Sequence, residues 1–236
     1  MVNIFKSFDI PPNKDLIILK SIYDGEVMTL NEISITVIIP AYNEEKTIGD
    51  IVEELKQHGY DVLVIDDGSI DDTAKVAEEA GVKVIRHSRN RGYLEALRTG
   101  FKEAGGDIII TMDADGQHQV KDIPKLIKPI LEGEADLVMG ARNKLSLSEK
   151  LITKITSLKV KVSDASTGFR ALKREFASKM KLKGICTCGT FVLEAYKLGA
   201  KIAEVRIKSR KRRVGKSKIK KRHAIQAFIV MKEILT

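Results

Sequence analysis

Short apolar runs alternate with amphipathic helical patterns along most of this chain, and that alternation limits the folds it can adopt. The apolar runs have the length and the β-branched content of buried strands. They cover residues 35–39, 62–65, 82–85, 107–112 and 135–140. Helical spacing of apolar residues predicts helices over 45–58, 69–80, 94–104 and 122–132. This order predicts an α/β protein with a mixed, mostly parallel sheet flanked by helices, and Ser69 is expected to cap the second helix.

Length and periodicity together predict one large domain with two short appendages. The chain has 236 residues, which is below the ~250–300 residues at which a single core stops growing. Regular periodicity starts only after residue 30, and Pro11 and Pro12 break any earlier helix. Residues 1–30 are therefore interpreted as an N-terminal extension of uncertain structure, residues 31–218 as the domain, and residues 219–236 as an amphipathic, membrane-proximal helix.

Polar residues follow three of the predicted strands at the points where the strands end. They are Asn43 and Glu44, Asp66 and Asp67, and Asp113 and Asp115. Ligands of such folds bind at the carboxyl ends of the strands, so we expect these side chains to converge. Asp113, Asp115 and Gln117 offer oxygen ligands that suit Mg²⁺ or Mn²⁺ bridging a diphosphate. Taken separately, Asp-x-Asp is also typical of a solvated turn, and Asp-Asp of an acidic helix start.

Two common nucleotide-binding motifs are missing from the sequence. No Gly-x-Gly-x-x-Gly follows the first predicted strand, and no Gly-x-x-x-x-Gly-Lys-Ser/Thr occurs. Both motifs use glycine-rich loops to hold phosphates close to the backbone. Dinucleotide-dependent redox chemistry and P-loop hydrolysis are therefore disfavoured.

Positive charge is concentrated near the C-terminus. Residues 205–236 contain twelve Lys and Arg and one acid, a net charge of +11, whereas the whole chain carries +9 and residues 1–204 therefore −2. A solvated tail is one interpretation. Nucleic-acid binding is another, but the basic run has no aromatic residues for base stacking, so no nucleic-acid partner is expected. An anionic membrane surface fits the run best, at about 1 kcal/mol per nearby basic residue.

Apolar segments near the basic run support a membrane surface as a partner. Residues 224–235 are strongly apolar, too short to span a bilayer and long enough to lie in its interface, although a core helix is the alternative. Residues 143–163 carry Leu and Ile at helical spacing and are a second candidate lipid-facing piece. With no signal-peptide pattern and no apolar run of ~20 residues, the expected location is the cytoplasm, peripheral on the cytosolic face of the membrane.

The two cysteines, Cys186 and Cys188, are separated by one residue. In an extended segment both side chains share a face but lie too far apart for an unstrained disulfide. Two thiols alone also fall short of a four-ligand zinc site. The sequence therefore predicts free, buried thiols.

Seven motifs in order resemble those of family 2 glycosyltransferases, and the later ones resemble the dolichyl-phosphate mannose/glucose synthase branch. They read VIIPAYNEE (37–45), VIDDGSxD (64–71), NRG (90–92), DADGQH (113–118), GAR (140–142), TGFR (167–170) and RxGxSK (213–218). One such motif would be a weak signal, but seven in the expected order across most of the chain are specific.

The resemblance implies a GT-A fold and an inverting transfer of a hexose from a GDP- or UDP-sugar to a polyprenyl (dolichyl-type) phosphate. By position, the nucleotide-sugar would be bound by Pro40, Ala41, Tyr42, Glu44, Asp66, Asp67, Arg91 and Asp113. The Mg²⁺ or Mn²⁺ ligands would be Asp113, Asp115 and Gln117. The catalytic residues would be Asp115, Arg142 and Asp164. Phosphate or acceptor would be bound by Thr167, Arg170, Arg213 and Lys218.

The role of Asp164 depends on the acceptor. It stands where many relatives have the presumed catalytic base, and the alternative is an N-cap of a helix predicted over 165–180. A phosphate monoester has its second pKa near 6 and is an anionic nucleophile without a strong base. A hydroxyl acceptor, such as a glycan or a polyol, would need one. The remaining alternative is a non-catalytic basic protein that binds a membrane or a nucleic acid. It is disfavoured because the acidic residues of the motifs are all present.

Overall fold

The computed structural model describes residues 16–23, 26–210 and 223–235. The strands in these ranges are β1 (Leu16–Tyr23), β2 (Glu26–Ala41), β3 (Asp61–Asp66), β4 (Lys83–Arg86), β5 (Ile108–Thr111), β6 (Leu137–Arg142), β7 (Arg170–Lys173) and β8 (Ile202–Ile207). The helices are α1 (Glu45–Gln57), α2 (Thr73–Glu79), α3 (Tyr93–Glu103), α4 (Ile123–Leu131), α5 (Leu147–Thr156), α6 (Arg174–Ala177), α7 (Thr190–Lys197) and α8 (His223–Leu235).

A mixed sheet with the strand order β4-β3-β2-β5-β7-β6-β8 forms the centre of the fold. All of these strands run in one direction except β7, which pairs antiparallel with both β5 and β6. The mostly parallel sheet expected from the sequence is therefore confirmed. The long strand β2 pairs antiparallel with β1 along its first half and parallel with β3 and β5 along its second half. It runs continuously across the boundary that the sequence suggested between residues 30 and 31.

Helices cover both faces of the sheet, because successive strand residues point to opposite sides. In β2, Val37 and Ile39 pack into one apolar layer, which also contains the inner faces of α1 and α4. Ile38 points the other way, into a layer that α3 and α7 cover. Both layers are buried, which explains why the strands read as continuous apolar runs rather than alternating ones.

Two local predictions are wrong. The helix predicted over 165–180 is absent, and this stretch holds β7 and the short α6 instead. Residues 170–173 contain good helix formers, but pairing between β5 and β6 overrides that local preference. The second helix begins at Thr73 rather than after Ser69, because the Ser69 hydroxyl accepts an N–H from another loop. The other predicted strands and helices are confirmed within two residues at each end, except that β2 begins at Glu26, nine residues before the predicted start at Ile35.

Candidate active site

The carboxyl ends of β2, β3, β5 and β6 lie at one edge of the sheet. Asp66 ends β3, Asp113 follows β5 by two residues, and Arg142 ends β6. Since β7 separates β5 from β6, Asp113 and Arg142 leave strands about 10 Å apart, which is twice the usual strand spacing. The polar segments that the sequence placed after separate strands therefore meet at one edge, which is the candidate active site.

Hydrogen bonds tie the loop after β2 to the other loops of this edge. Asn43, in a left-handed conformation with φ of 56°, donates its N–H to Ser69 Oγ over 2.9 Å and accepts from the N–H of Ile70 at Oδ1. The Thr47 hydroxyl donates to the carbonyl of Ala114, inside the Asp-Ala-Asp segment, over 2.7 Å. Among the predicted nucleotide-binding residues of this loop, the buried ones are Pro40 and Ala41, and the half-buried ones are Tyr42 and Glu44.

The carboxylates of Asp66 and Asp67 are buried and bind other parts of the protein. Asp66 Oδ2 lies 3.1 Å from Arg86 Nε in an ion pair. Asp67 accepts the N–H of Arg91 at Oδ1 over 2.9 Å and the N–H of Gly92 at Oδ2 over 2.7 Å. Arg91 contributes its backbone to this contact, and its side chain is exposed. These contacts hold both carboxylates in place, and their contacts with a nucleotide stay a prediction.

Asp113 is fixed as an anion by its neighbours. Oδ1 accepts a hydrogen bond from the Tyr93 hydroxyl over 3.0 Å, and Oδ2 lies 3.3 Å from His118 Nε2. Burial opposes ionisation, but the His118 contact, the charge of Arg170 and the Tyr93 bond together lower the pKa of Asp113 to about 2. The carboxylate packs against the Cα of Gly168, where a Cβ would overlap its oxygens. Asp113 is therefore charged at neutral pH and confined to one position.

Asp115 and Gln117 add further oxygen atoms beside Asp113. Asp115 is 7% exposed and accepts the N–H of Gln117 at Oδ1 over 3.0 Å. The Gln117 Nε2 donates to the carbonyl of Arg210, and the Arg210 N–H donates back to the carbonyl of Gln117 over 2.8 Å. Two carboxylates and an amide oxygen suit a hard divalent cation, so the residues present fit the Mg²⁺ or Mn²⁺ expected from the sequence.

Asp164 is fully buried and accepts four hydrogen bonds. Its Oδ2 accepts from N and Nε of Arg142 over 3.1 and 2.7 Å, and Oδ1 accepts from Arg142 Nη2 and the N–H of Ser166, each over 3.0 Å. Arg142 Nη2 also lies 3.0 Å from Glu149 Oε1. Burial opposes the charge of Arg142, but its bonds to Asp164 and Glu149 raise its pKa above the ordinary value. These contacts hold Arg142 in one orientation, and whether Asp164 orients Arg142 or also acts as a general base stays a prediction.

Replacement of Asp164 by Asn tests this role. Asp164→Asn removes the charge of one of the two carboxylates that pair with Arg142 and leaves Glu149 as the other, so the cost should stay below the ~3–5 kcal/mol of breaking a fully buried pair. We expect lower thermal stability and lower turnover, with the shape of the pH–rate profile unchanged. Glu175→Gln on α6, away from this ion pair, serves as the matched control. Loss of the acidic limb of the profile, with stability retained, would instead show that Asp164 is a base.

Two of the four residues predicted to bind phosphate or acceptor, Thr167 and Arg170, are not displayed at the edge. Thr167 and Arg170 are both fully buried, so neither offers surface for direct contact with an acceptor. Arg170 lies over the Phe191 ring at 4.2 Å, donates to Thr187 Oγ1, and acts on the site through the charge it exerts on Asp113. The other two, Arg213 and Lys218, lie outside the described residues, and their roles stay predictions.

The structure also brings residues to the site to which the sequence gave no role. Tyr93 and His118 contact Asp113, and Glu149 pairs with Arg142. His87 lies between the Asp67 carboxylate and the Thr99 hydroxyl. His118 stands inside a recognised motif and could have been found from it. Glu149 belongs to a capping box with Ser146, which is a readable helix start, but its pairing with β6 depends on the tertiary fold.

Comparison with known protein families matches residues 36–198, more than half of the chain, to glycosyl transferase family 2. The chain belongs to this family. It is 38% identical over 208 residues to an uncharacterized protein of Methanocaldococcus jannaschii, which covers 79% of this chain and 85% of that protein. It is 34% identical over 213 residues to the UDP-N-acetylglucosamine–dolichyl-phosphate N-acetylglucosaminyltransferase of Methanococcus voltae, covering 74% and 85% of the two chains.

Among solved structures, the fold is similar to that of glucosyl-3-phosphoglycerate synthase from Mycobacterium tuberculosis in complex with Mn²⁺, UDP and phosphoglyceric acid. The TM-score is 0.72 with 23% identity, covering 86% of this chain and 78% of that chain. At this identity the likeness concerns the fold, which confirms the GT-A architecture expected from the motifs. This family 2 member is therefore a glycosyltransferase with a GT-A domain.

Proposed function

We propose that this family 2 glycosyltransferase moves a hexose from a GDP- or UDP-sugar to a polyprenyl phosphate at a membrane surface, with inversion at the sugar. The main support for the proposal is that the loop of Asp113 and Asp115 contacts the chain at the point where the basic segment near the C-terminus begins. β8 runs parallel to β6, so the chain leaves it at the active-site edge. Arg210 then hydrogen bonds to Gln117, and residues 211–222 follow.

On the donor side, Asp113, Asp115 and Gln117 would hold a divalent cation. When bound, Mg²⁺ or Mn²⁺ would stabilise the negative charge that develops on the departing nucleoside diphosphate. The half-buried Tyr42 and Glu44 lie at the end of β2 where a nucleotide would bind. The Methanococcus voltae relative is named for UDP-N-acetylglucosamine, so this is the first donor to test.

On the acceptor side, the state of Asp164 favours a phosphate over a hydroxyl. A hydroxyl acceptor needs a base to remove its proton, and the four bonds that Asp164 accepts commit its carboxylate to other partners. A phosphate acceptor needs positive charge instead. Arg142, whose Nη1 forms no hydrogen bond with the described residues, lies at the same edge. Arg213 is three residues beyond Arg210 and can lie at most about 10 Å from it.

α8 supports the membrane surface, because much of its apolar surface is exposed. Its buried residues are His223, Gln226 and Val230, whereas Ile225, Phe228 and Leu235 are 56%, 74% and 80% exposed. α8 packs against α5, which adds a further exposed apolar stripe at 147 and 151. No helix in the described ranges is long and apolar enough to cross a bilayer. An exposed apolar face of this kind suits a helix that lies in the interface.

A substitution on the outer face of α8 tests the membrane contact. Phe228→Ser removes an apolar side chain whose full burial is worth about 1.5–3 kcal/mol, so partition into anionic vesicles should fall about 10-fold or more. Leu198→Ser, at an exposed leucine that follows α7, is the control and should partition like the unchanged protein. Co-sedimentation with vesicles measures both. Equal partition of the Phe228 variant would contradict the assignment, and loss of self-association without any vesicle binding would assign the surface to a second copy of the chain.

The transfer itself is tested with labelled donors. The full chain is incubated with UDP-N-acetylglucosamine, UDP-glucose or GDP-mannose, with Mn²⁺ or Mg²⁺ and a short polyprenyl phosphate. Label that becomes extractable into organic solvent, and only with metal, is the expected result. Label found only on an added soluble glycan or polyol would move the function to a hydroxyl acceptor. Failure to bind any nucleotide-sugar would contradict the proposal.

A further inference from the structure

Cys186, Cys188 and His223 form a buried cluster near the start of α5, where Ser148 contacts His223. The three ligand atoms all lie within 4.8 Å of one another, and Cys188 Sγ is 3.8 Å from His223 Nε2. Each residue is at most 6% exposed, and both thiols are free. Tetrahedral zinc with two thiolates and an imidazole would place the sulfurs about 3.8 Å apart and each sulfur about 3.6 Å from the nitrogen. The cluster is close to that geometry without any rearrangement of the backbone.

The surroundings of the cluster are those of a metal site. His223 Nδ1 lies 2.7 Å from Ser148 Oγ, the kind of second hydrogen bond that orients a metal-bound imidazole. Ser166 lies beside the Cys188 thiol. Ser166 Oγ is buried and forms no hydrogen bond of normal geometry with the described residues. It is therefore a polar atom beside the cluster that still needs a partner.

We propose that Cys186, Cys188 and His223 bind a zinc-type divalent cation through two sulfurs and Nε2, with a water as the fourth ligand facing Ser166. Thiolate and imidazole ligands favour zinc over magnesium or manganese, so this site is chemically separate from the oxygen ligands at Asp113 and Asp115. Three protein ligands and one water complete a tetrahedral shell. The water would also give Ser166 Oγ the hydrogen-bond partner that it lacks.

This metal site would fix the start of α8, which begins at His223. Gln226, one turn further along α8, already accepts the N–H groups of 185 and 186 and donates to the carbonyls of 186 and 188. A cation on His223 would add a bond between α8 and the same loop. The cation is thus a clamp that holds α8 against the loop that carries Cys186 and Cys188.

Metal content and spectroscopy of the full chain test the site independently of sugar transfer. The purified protein is reduced, freed of metal by a chelator, and then loaded with Zn²⁺ or Co²⁺. We expect one tightly held equivalent of zinc. With Co²⁺ we expect intense tetrahedral d–d bands and a sulfur-to-cobalt charge-transfer band in the near ultraviolet. The same spectrum should appear in Asp115→Asn, which removes a ligand of the other site only.

Substitutions separate this proposal from a merely structural cluster. His223→Gln and Cys188→Ser should lose the tight zinc, and Ser148→Ala should weaken zinc binding about 10- to 100-fold while keeping the cobalt charge-transfer band. His58→Gln, at an exposed histidine of the same chain, should bind zinc like the unchanged protein. Cobalt bands without sulfur charge transfer, or zinc retention that follows Asp115 rather than Cys188, would overturn the proposal. Since the cobalt spectrum is read on the unchanged chain, the test does not depend on any variant folding.

Discussion

Asp115→Asn should reduce metal-dependent sugar transfer by about 100-fold or more, the scale of losing one electrostatic contact to the developing charge of a leaving group. Asn keeps an oxygen that can accept the N–H of Gln117, so the local backbone should hold. The negative charge at this position disappears, and the affinity for Mn²⁺ should fall together with turnover. Initial rates over a range of Mn²⁺ concentrations measure both quantities.

Asp50→Asn is the matched control for this change. Asp50 is an exposed aspartate on α1, and its substitution removes the same charge from the chain outside the candidate site. It should leave the rate and the Mn²⁺ dependence unaltered. If Asp115→Asn retained the rate of the unchanged protein at every metal concentration, the metal assignment at Asp113 and Asp115 would be wrong.

Gly168→Ala should reduce activity almost as strongly, although residue 168 has no functional group. A Cβ at this position would overlap the carboxylate of Asp113, which is already confined by Tyr93 and His118. Overpacking of this kind costs about 1–3 kcal/mol of stability. Displacement of a catalytic group by about 1 Å can cost about 100-fold in rate. Turnover and chemical denaturation, measured on the same sample, give both effects.

Gly105→Ala is the matched control, since a Cβ there would meet nothing within 4 Å. It adds the same methyl group at a position shortly before β5. Turnover should not change. Full activity of Gly168→Ala would show that the Asp113 carboxylate can move without loss. In that case, activity would not require the Asp113 carboxylate to be fixed in one position.

The sequence was sufficient for the parallel core and for the aspartates that follow its strands at one edge. Continuous apolar runs such as 35–39 predict strands buried on both faces, and the aspartates that follow them predict a shared edge. The sequence was misleading where a tertiary pairing decides the structure. The strand β7 has a helix-forming sequence and becomes extended only because β5 and β6 flank it.

Roles inside the site were harder to predict than positions, because a carboxylate motif does not show which partners its oxygens take. Asp67 binds two backbone N–H groups, and Asp164 binds Arg142. Neither set of contacts can be predicted without the three-dimensional fold. The cysteine pair shows the same limit: two thiols were too few for a zinc site in sequence, and His223, 35 residues from Cys188, completes the cluster only in three dimensions.

We propose that the active site transfers sugar to a lipid phosphate rather than to a hydroxyl. A competition assay offers the full chain two acceptors of equal chain length in the same vesicles, a polyprenyl phosphate and the corresponding polyprenol, with labelled UDP-N-acetylglucosamine and Mn²⁺. The products are separated by their charge. We expect label on the phosphate alone, and its loss in Asp115→Asn. Label on the polyprenol at a comparable rate would show that the proposed acceptor is wrong.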